Sequence, residues 1–235
     1  MKRLQRSLAV AGALLLAQLL ARSDHARAAL VCSSRPQPKL EKGTFLIAGR
    51  DLSDPNFAET IILLIAYGPG GAMGVVINRP SDVKLAKVLP SIKQLQRRGD
   101  MLYVGGPVAT KNVLLLIRSA KEVEDAVLVF GDIYASSSLT ALRREVERTD
   151  VAQHLHAYSG HAGWAPGQLE TEVARGDWYV SPADADVIFS KAPRALWQKL
   201  IPRVEGDWVR APNLERSTTA YFTRCAPIGA RDEIT

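Results

Sequence analysis

The stretch that decides the fold is TIILLIAYGPGGAMGVVINRP, residues 60–80. Its first part, Thr60 to Tyr67, is almost continuously apolar, which is typical of a central strand covered on both faces. Residues 68–71 (GPGG) form a turn signal, and Ala72 to Ile77 is predicted to return as the second strand of a hairpin with a four-residue loop. The NRP sequence at 78–80 ends that strand, because proline has no N–H to donate to a sheet ladder.

Further strands and short helices are predicted on both sides of this hairpin. The predicted strands are 45–48, 102–104, 113–117, 126–130, 157–159 and 178–180. The predicted helices are 85–95 (split in two at Pro90), 137–148, 168–174 and 194–201, and a glycine-rich stretch with a turn at Gly160 is expected at 160–167. Strands and helices interleave without a regular βαβ alternation, so we predict a single compact domain of the α+β class.

The N-terminal segment has the three parts of a secretory signal peptide. Three basic side chains come before a largely apolar stretch, residues 8–21, that is too short to span a bilayer comfortably. Residues 26–28 (ARA) supply the small-x-small pattern of a cleavage site. We therefore expect a cleavable signal peptide over residues 1–28, cleavage before Ala29, and a periplasmic or secreted protein with no transmembrane segment after cleavage. The alternatives are a frayed N-terminal helix, a start codon assigned too early, or a lipoprotein acylated at Cys32.

The rest of the chain divides into a linker at 29–42, a domain at 43–202 and a C-terminal tail at 203–235 that we expect to be poorly ordered. Removal of the signal peptide would leave 25 Lys and Arg residues against 23 Asp and Glu residues, a net charge near +2. A nucleic-acid-binding protein would be expected to keep a clear positive excess, so no nucleic-acid partner is expected.

The two cysteines, Cys32 and Cys225, lie near the opposite ends of the expected mature chain. The sequence has no CxxC pair, which argues against zinc-ribbon and thioredoxin-type sites. In an oxidising compartment we predict a Cys32–Cys225 disulfide that holds the C-terminal tail against the domain. An intermolecular disulfide and two free thiols are the alternatives.

Four sequence blocks between residues 43 and 200 carry a resemblance to the YqgE/AlgH family of small bacterial proteins. The blocks are GTFLIA (43–48) with DPNF (54–57), GAMGVVINRP (71–80), GGPV (105–108) and GHAGWAPGQLE (160–170). The resemblance implies a compact α+β domain with a bifurcated mixed β-sheet that forms a partial barrel, flanked by short helices. It implies no particular enzymatic activity. Family members usually lack an export leader and usually have an aromatic residue where this chain has His161.

Polar side chains and glycines that follow apolar strands are the candidate ligand-binding groups, because strand ends are where a scaffold presents such groups. They are Asp54, Asn56, Asn78, Arg79, Gly105, Gly106, Trp164, Gln168 and Glu170. Arg79 could hold a carboxylate or phosphate by two parallel hydrogen bonds. The alternative is structural: the Asp and Asn side chains would cap turns, and Trp164 would fill the core.

Three histidines, His154, His156 and His161, are candidate metal ligands. The first two would lie on one face of a strand, and imidazoles suit zinc, copper or nickel. No nearby Cys or carboxylate completes the set in sequence, and no cofactor is expected.

The leading hypothesis is a non-enzymatic binding or accessory protein of the cell envelope, with an unknown small ligand or an envelope protein as its partner. One alternative is a transcriptional regulator, as the family name suggests. Another is an envelope hydrolase or metalloprotein that uses the His154–His161 region, with Ser159 as the nucleophile.

Overall fold

The structure of the chain is a computed structural model, which describes residues 39–147 and 154–209, with side chains as far as residue 206. The strands are β1 (Thr44–Ala48), β2 (Ile61–Gly68), β3 (Gly71–Val76), β4 (Pro80–Lys84), β5 (Met101–Val104), β6 (Val108–Arg118), β7 (Val127–Phe130), β8 (Ile133–Ser136), β9 (Leu155–Trp164) and β10 (Trp178–Pro182). The helices are α1 (Leu85–Val88), α2 (Leu139–Val146), α3 (Gln168–Arg175), α4 (Ala185–Ile188) and α5 (Leu196–Val209), with 3₁₀ turns at Lys93–Arg97 and Pro193–Ala195.

The predicted hairpin of β2 and β3 is confirmed, with a tighter turn than expected. The first five residues of β2 are buried, as the apolar run predicts for a central strand. Gly68 pairs with Gly71, so the loop has two residues and not four. Gly71 has φ +111°, and a Cβ atom there would overlap the carbonyl oxygen of Trp164. Only glycine fits this turn, because it must pass directly against β9.

The sheet forks along β9. One edge of β9 pairs antiparallel with β6, from Leu155 to His161. Its other edge pairs antiparallel with β3 at residues 162–164 and parallel with β5 at residues 157–159. The strand order is β10-β1-β2-β3-β9-β6-β8-β7, with β5 and β4 on the branch. The sheet is curled, so the predicted α+β fold with a bifurcated mixed sheet forming a partial barrel is confirmed.

Strand β9 is much longer than the predicted strand 157–159, and the turn predicted at Gly160 is a bend within the strand. The strand continues to Trp164 because Gly160, at φ +71°, bends it without breaking it. Opposite this bend, β6 bulges: Val113 pairs with Ser159 and Val108 pairs with His161, which leaves residues 109–112 of β6 facing Gly160 alone.

Two helix ends follow their predicted signals. Ser138 is the N-cap of α2, and its hydroxyl accepts the N–H groups of Thr140 and Ala141. Gly176, with φ +90°, closes α3 in the left-handed conformation.

The last helix runs further than predicted. The prediction ends it at Ile201, but α5 continues through Pro202 to Val209, eight residues further. Val204 packs against the main core, and Glu205 forms an ion pair with Arg50 at 2.9 Å. We attribute the continuation to these contacts, which offset the one backbone hydrogen bond that a proline removes.

Several predictions concern residues outside the described ranges. The signal peptide, the cleavage site before Ala29, both cysteines of the expected disulfide and residues 210–235 of the expected tail are all among them. The start of that tail, residues 203–209, lies inside α5.

The apolar side chains form two packed clusters. The larger one lies around β1, β2 and β3 and includes Trp178 and Trp197. The smaller one packs α1, the 3₁₀ turn at Lys93–Arg97 and α2 against β6 and the start of β9.

Candidate functional site

The side chain of Arg79, a candidate for binding an anion, forms hydrogen bonds to the backbone of its own chain. Its guanidinium donates to the carbonyl oxygens of Asn56 at 2.6 Å, Ala58 at 2.9 Å and Pro55 at 3.3 Å. These bonds tie the loop before β2 to the end of β3. The parallel donors that a carboxylate or phosphate would need are therefore already engaged.

The neighbouring polar side chains also act as caps, as the structural alternative proposed. Asn78 is buried; its Oδ1 accepts the Ile61 N–H at 2.9 Å and its Nδ2 donates to the Glu59 carbonyl at 2.9 Å. Asp54 Oδ1 accepts the Asn56 N–H at 2.7 Å, which is an Asx turn.

Trp164 belongs to the core, with 7% of its surface exposed. Its indole N–H donates to Glu172 Oε2 at 2.8 Å, and the same oxygen accepts the indole N–H of Trp178 at 2.8 Å. The other oxygen of Glu172 accepts from Gln168 Nε2 at 2.9 Å. Glu172 was not among the predicted site residues, although its place four residues after Gln168 puts both on one face of α3.

Glu170 and the two predicted glycines, Gly105 and Gly106, also have structural roles. Glu170 accepts the Tyr67 hydroxyl at 2.6 Å, and this hydrogen bond raises the pKa of Tyr67. Gly105 sits in the fork of the sheet, where its N–H donates to Ser159 O at 2.8 Å and its carbonyl accepts from Val76 N at 2.9 Å. A Cβ atom at Gly106 would overlap the backbone of His161.

A cleft of about 470 Å³ opens beside the parallel pair β5 and β9. Apolar side chains form much of its wall, and Arg98, Asp100, Tyr103 and His156 are its lining residues with polar side chains. It is lined by Leu85, Arg98, Gly99, Asp100, Met101, Tyr103, Leu155, His156 and Ala157. Of the residues predicted from sequence, His156 alone lines it. We call it the His156 cleft.

The His156 side chain is packed between aromatic rings. Its ring centroid lies 4.6 Å from that of Tyr103 and 4.8 Å from that of Phe189, and its Nδ1 atom lies 3.5 Å from the Tyr158 hydroxyl. Burial lowers the pKa of His156 to about 4, although Asp100 opposes this shift. Burial likewise raises the pKa values of both tyrosines. At neutral pH the imidazole and the two phenols are therefore uncharged.

The one charged pair at the cleft is Arg98 with Asp100. Arg98 Nε lies 2.5 Å from Asp100 Oδ2, and its second nitrogen donates to Oδ1 at 3.0 Å. The two side chains are 18% and 14% exposed, so the pair is largely removed from water. This parallel pair fixes the loop that leads into β5.

The three histidines predicted as metal ligands are not gathered into one site. Within residues 39–147 and 154–209, no group of three or more His, Cys, Asp or Glu side chains is placed to hold a metal ion. The His156 ring packs against Tyr103 and Phe189. His161 comes after the bend that Gly160 makes in β9.

The Ser159 hydroxyl donates to the Thr110 carbonyl at 2.5 Å, so its proton is bound to the backbone of β6. A nucleophilic serine instead needs its hydroxyl hydrogen-bonded to a base.

In the described part of the chain, no helix is both long enough and apolar enough to cross a bilayer.

The chain has relatives in many bacteria. It is 38% identical over 157 residues to a UPF0301 protein of Stutzerimonas stutzeri, covering 65% of this chain and 82% of that one. It is 32% identical over 173 residues to a UPF0301 protein of Mycobacteroides abscessus, covering 72% of this chain and 82% of that one.

Two experimental structures share the fold. The solution structure of the AlgH protein from Pseudomonas aeruginosa matches with a TM-score of 0.60 and 32% identity, over 74% of this chain and 92% of that one. A crystal structure of a Corynebacterium diphtheriae protein matches with a TM-score of 0.61 and 25% identity, over 71% and 88%. The AlgH-like family profile matches residues 45–209, which include every described strand except the first residue of β1. The chain therefore belongs to the AlgH-like family.

Proposed function

We propose that this protein is an exported, non-catalytic binding protein whose small-molecule ligand occupies the His156 cleft. The observation that carries the proposal is the cleft itself. Its volume of about 470 Å³ is within the range of small-molecule sites. Its walls combine apolar side chains with a few fixed polar groups, which is the usual composition of such sites.

The chemistry of the lining favours binding over catalysis. None of the lining residues is a serine, threonine, cysteine or lysine, and both oxygens of the one lining carboxylate, Asp100, accept hydrogen bonds from Arg98. His156 would be a weak general base at neutral pH, because its pKa of about 4 lies far from the working range. The Arg98–Asp100 pair supplies rigidity and polarity at the rim.

Export is supported by the sequence of residues 1–29. A basic start, a short apolar stretch and the ARA motif occur in the order that a signal peptidase requires. In the periplasm or medium, the protein would meet solutes that enter from outside the cell.

The cleft can be tested with a substitution that narrows it. Gly99 lines the His156 cleft, and a Cβ atom added there meets no atom within 4 Å. Gly99→Leu should therefore reduce the cleft volume without loss of stability. We expect hits from a panel of small organic solutes to shift the amide NMR signals of the cleft residues, and Gly99→Leu to abolish those shifts.

The matched control is Gly163→Leu, at an exposed glycine of β9 where an added Cβ atom also meets nothing within 4 Å. This variant should bind as the unaltered protein does. A panel in which no compound binds, or in which every hit binds Gly99→Leu unchanged, would disprove the proposed function.

A further inference from the structure

A second cleft of about 450 Å³ adjoins the His156 cleft, and Arg98 lines both. Its wall is formed by the 3₁₀ turn that precedes β5 and by the end of α2. The residues that line it are Lys93, Gln94, Gln96, Arg97, Arg98 and Val146. We call it the basic cleft, because three of its six residues are cations and none is acidic.

The cations Lys93 and Arg97 are available to a ligand. Both are exposed. Neither has an ion pair or a side-chain hydrogen bond with any residue that the structure describes. Arg98 differs from them, because its guanidinium is already bound to Asp100. Glu147 lies at the rim, where it accepts a long hydrogen bond of 3.4 Å from Gln94.

This positive charge is local and does not follow from the composition of the chain. Residues 84–98 contain five of the 25 Lys and Arg residues that follow residue 28, and no Asp or Glu. The other 20 are outnumbered by 23 Asp and Glu residues. A positive site on an otherwise slightly acidic protein attracts anions to that place.

We propose that the two clefts together bind an amphipathic organic anion, with its apolar body in the His156 cleft and its carboxylate or phosphate head held by Lys93 and Arg97. This proposal rests on the proposed function and names the chemical class of the ligand. Leu85, Met101 and Leu155 supply the apolar wall for the body. Charged hydrogen bonds from the two free cations neutralise the head.

Four probes separate the contributions of head and body: octanoate, octyl phosphate, octan-1-ol and inorganic phosphate. In calorimetric titrations of the full mature chain, we expect at least one of the two amphipathic anions to bind. Octan-1-ol should bind at least about ten-fold more weakly, as the loss of hydrogen bonds to a charged group predicts. Inorganic phosphate should give no measurable heat. The comparison of octanoate with octyl phosphate identifies the preferred head.

The charge is tested with the double variant Lys93→Gln/Arg97→Gln, which should weaken binding of the anion at least about ten-fold. Its control is Lys111→Gln/Lys121→Gln, which removes two exposed cations elsewhere on the surface and should bind as the unaltered protein does. Circular dichroism checks that both variants are folded.

The results separate this proposal from the one on which it rests. Octan-1-ol binding as tightly as the anions, or full affinity in Lys93→Gln/Arg97→Gln, overturns the anion assignment. If Gly99→Leu still abolishes binding in that case, the proposed function stands. Failure of all four probes overturns the anion assignment too, and the solute panel then decides the proposed function separately.

Discussion

Acid should destabilise this protein through His156, and His156→Phe should remove the effect. The ring of His156 is packed between Tyr103 and Phe189, beside the buried Tyr158 hydroxyl, with Asp100 as the nearby charge. Burial lowers its pKa from 6.5 to about 4. The unfolded chain therefore binds more protons than the folded one between these values, so the free energy of unfolding falls as the pH falls through that window.

The size of the effect follows from the shift. A difference of about 2.5 pH units corresponds to about 3 kcal/mol when the window is fully crossed. About 2.5 kcal/mol of this should be lost by pH 4.5, and almost none at pH 7.5. Phenylalanine has no proton to gain and suits the aromatic surroundings, so the variant should lose this part of its acid sensitivity.

The measurement is urea unfolding followed by tryptophan fluorescence at several pH values from 7.5 to 4.5. Carboxylates also titrate in this range, so the informative quantity is the difference between the unaltered protein and His156→Phe. His161→Phe, which removes a partly exposed histidine from the same strand, is the control for loss of a histidine alone. If the stabilities of the unaltered protein and His156→Phe run parallel over this range, the reasoning fails.

Three further predictions concern other parts of the chain. Glu172→Ala should cost about 2–4 kcal/mol in chemical denaturation, because it leaves two largely buried indole N–H groups without an acceptor. Gly106→Ala should destabilise more than an ordinary surface substitution, by about 2 kcal/mol or more, since its Cβ atom meets backbone that cannot move aside; an unchanged melting temperature would show that the fork can relax. Intact-mass measurement of exported protein, with thiol titration, should show cleavage before Ala29 and a Cys32–Cys225 disulfide, whereas retained Met1 with two free thiols would contradict both.

The sequence predicts the elements that carry strong local signals. The apolar run at 60–67 predicts β2. Ser138 and Gly176 mark helix ends, because the Ser138 hydroxyl caps the first turn of α2 and Gly176 adopts the left-handed conformation at the end of α3. The sequence analysis does not predict the short strands β4 and β8. Strand β4 has five mostly polar residues and β8 has four of mixed polarity, so neither shows a clear alternation of apolar and polar side chains. The length of β9 was also missed, because Gly160 and Gly163 resemble a turn until their partners are known.

The candidate site was harder to predict than the fold. His156 was singled out, but as a metal ligand and not as part of a cleft wall. Tyr103 and Asp100 reach it through the parallel pairing of β5 with β9, which joins segments more than 50 residues apart. No local pattern reports such a pairing. Arg79 is a case in which a predicted ligand-binding residue has a structural role. Its three hydrogen bonds to backbone carbonyl groups are visible only in the structure.

The fork along β9 has a consequence for how the protein is made. Without β9, the ladder falls into three separate pieces: β1 to β3 with β10, β4 with β5, and β6 with β8 and β7. A nascent chain emerging from the ribosome would expose the unpaired edges of β3, β5 and β6 until residues 155–164 had been synthesised. Pairing across such sequence distances is slow compared with local hairpin formation. The domain therefore reaches its native topology only after β9 has been synthesised and has joined the three pieces.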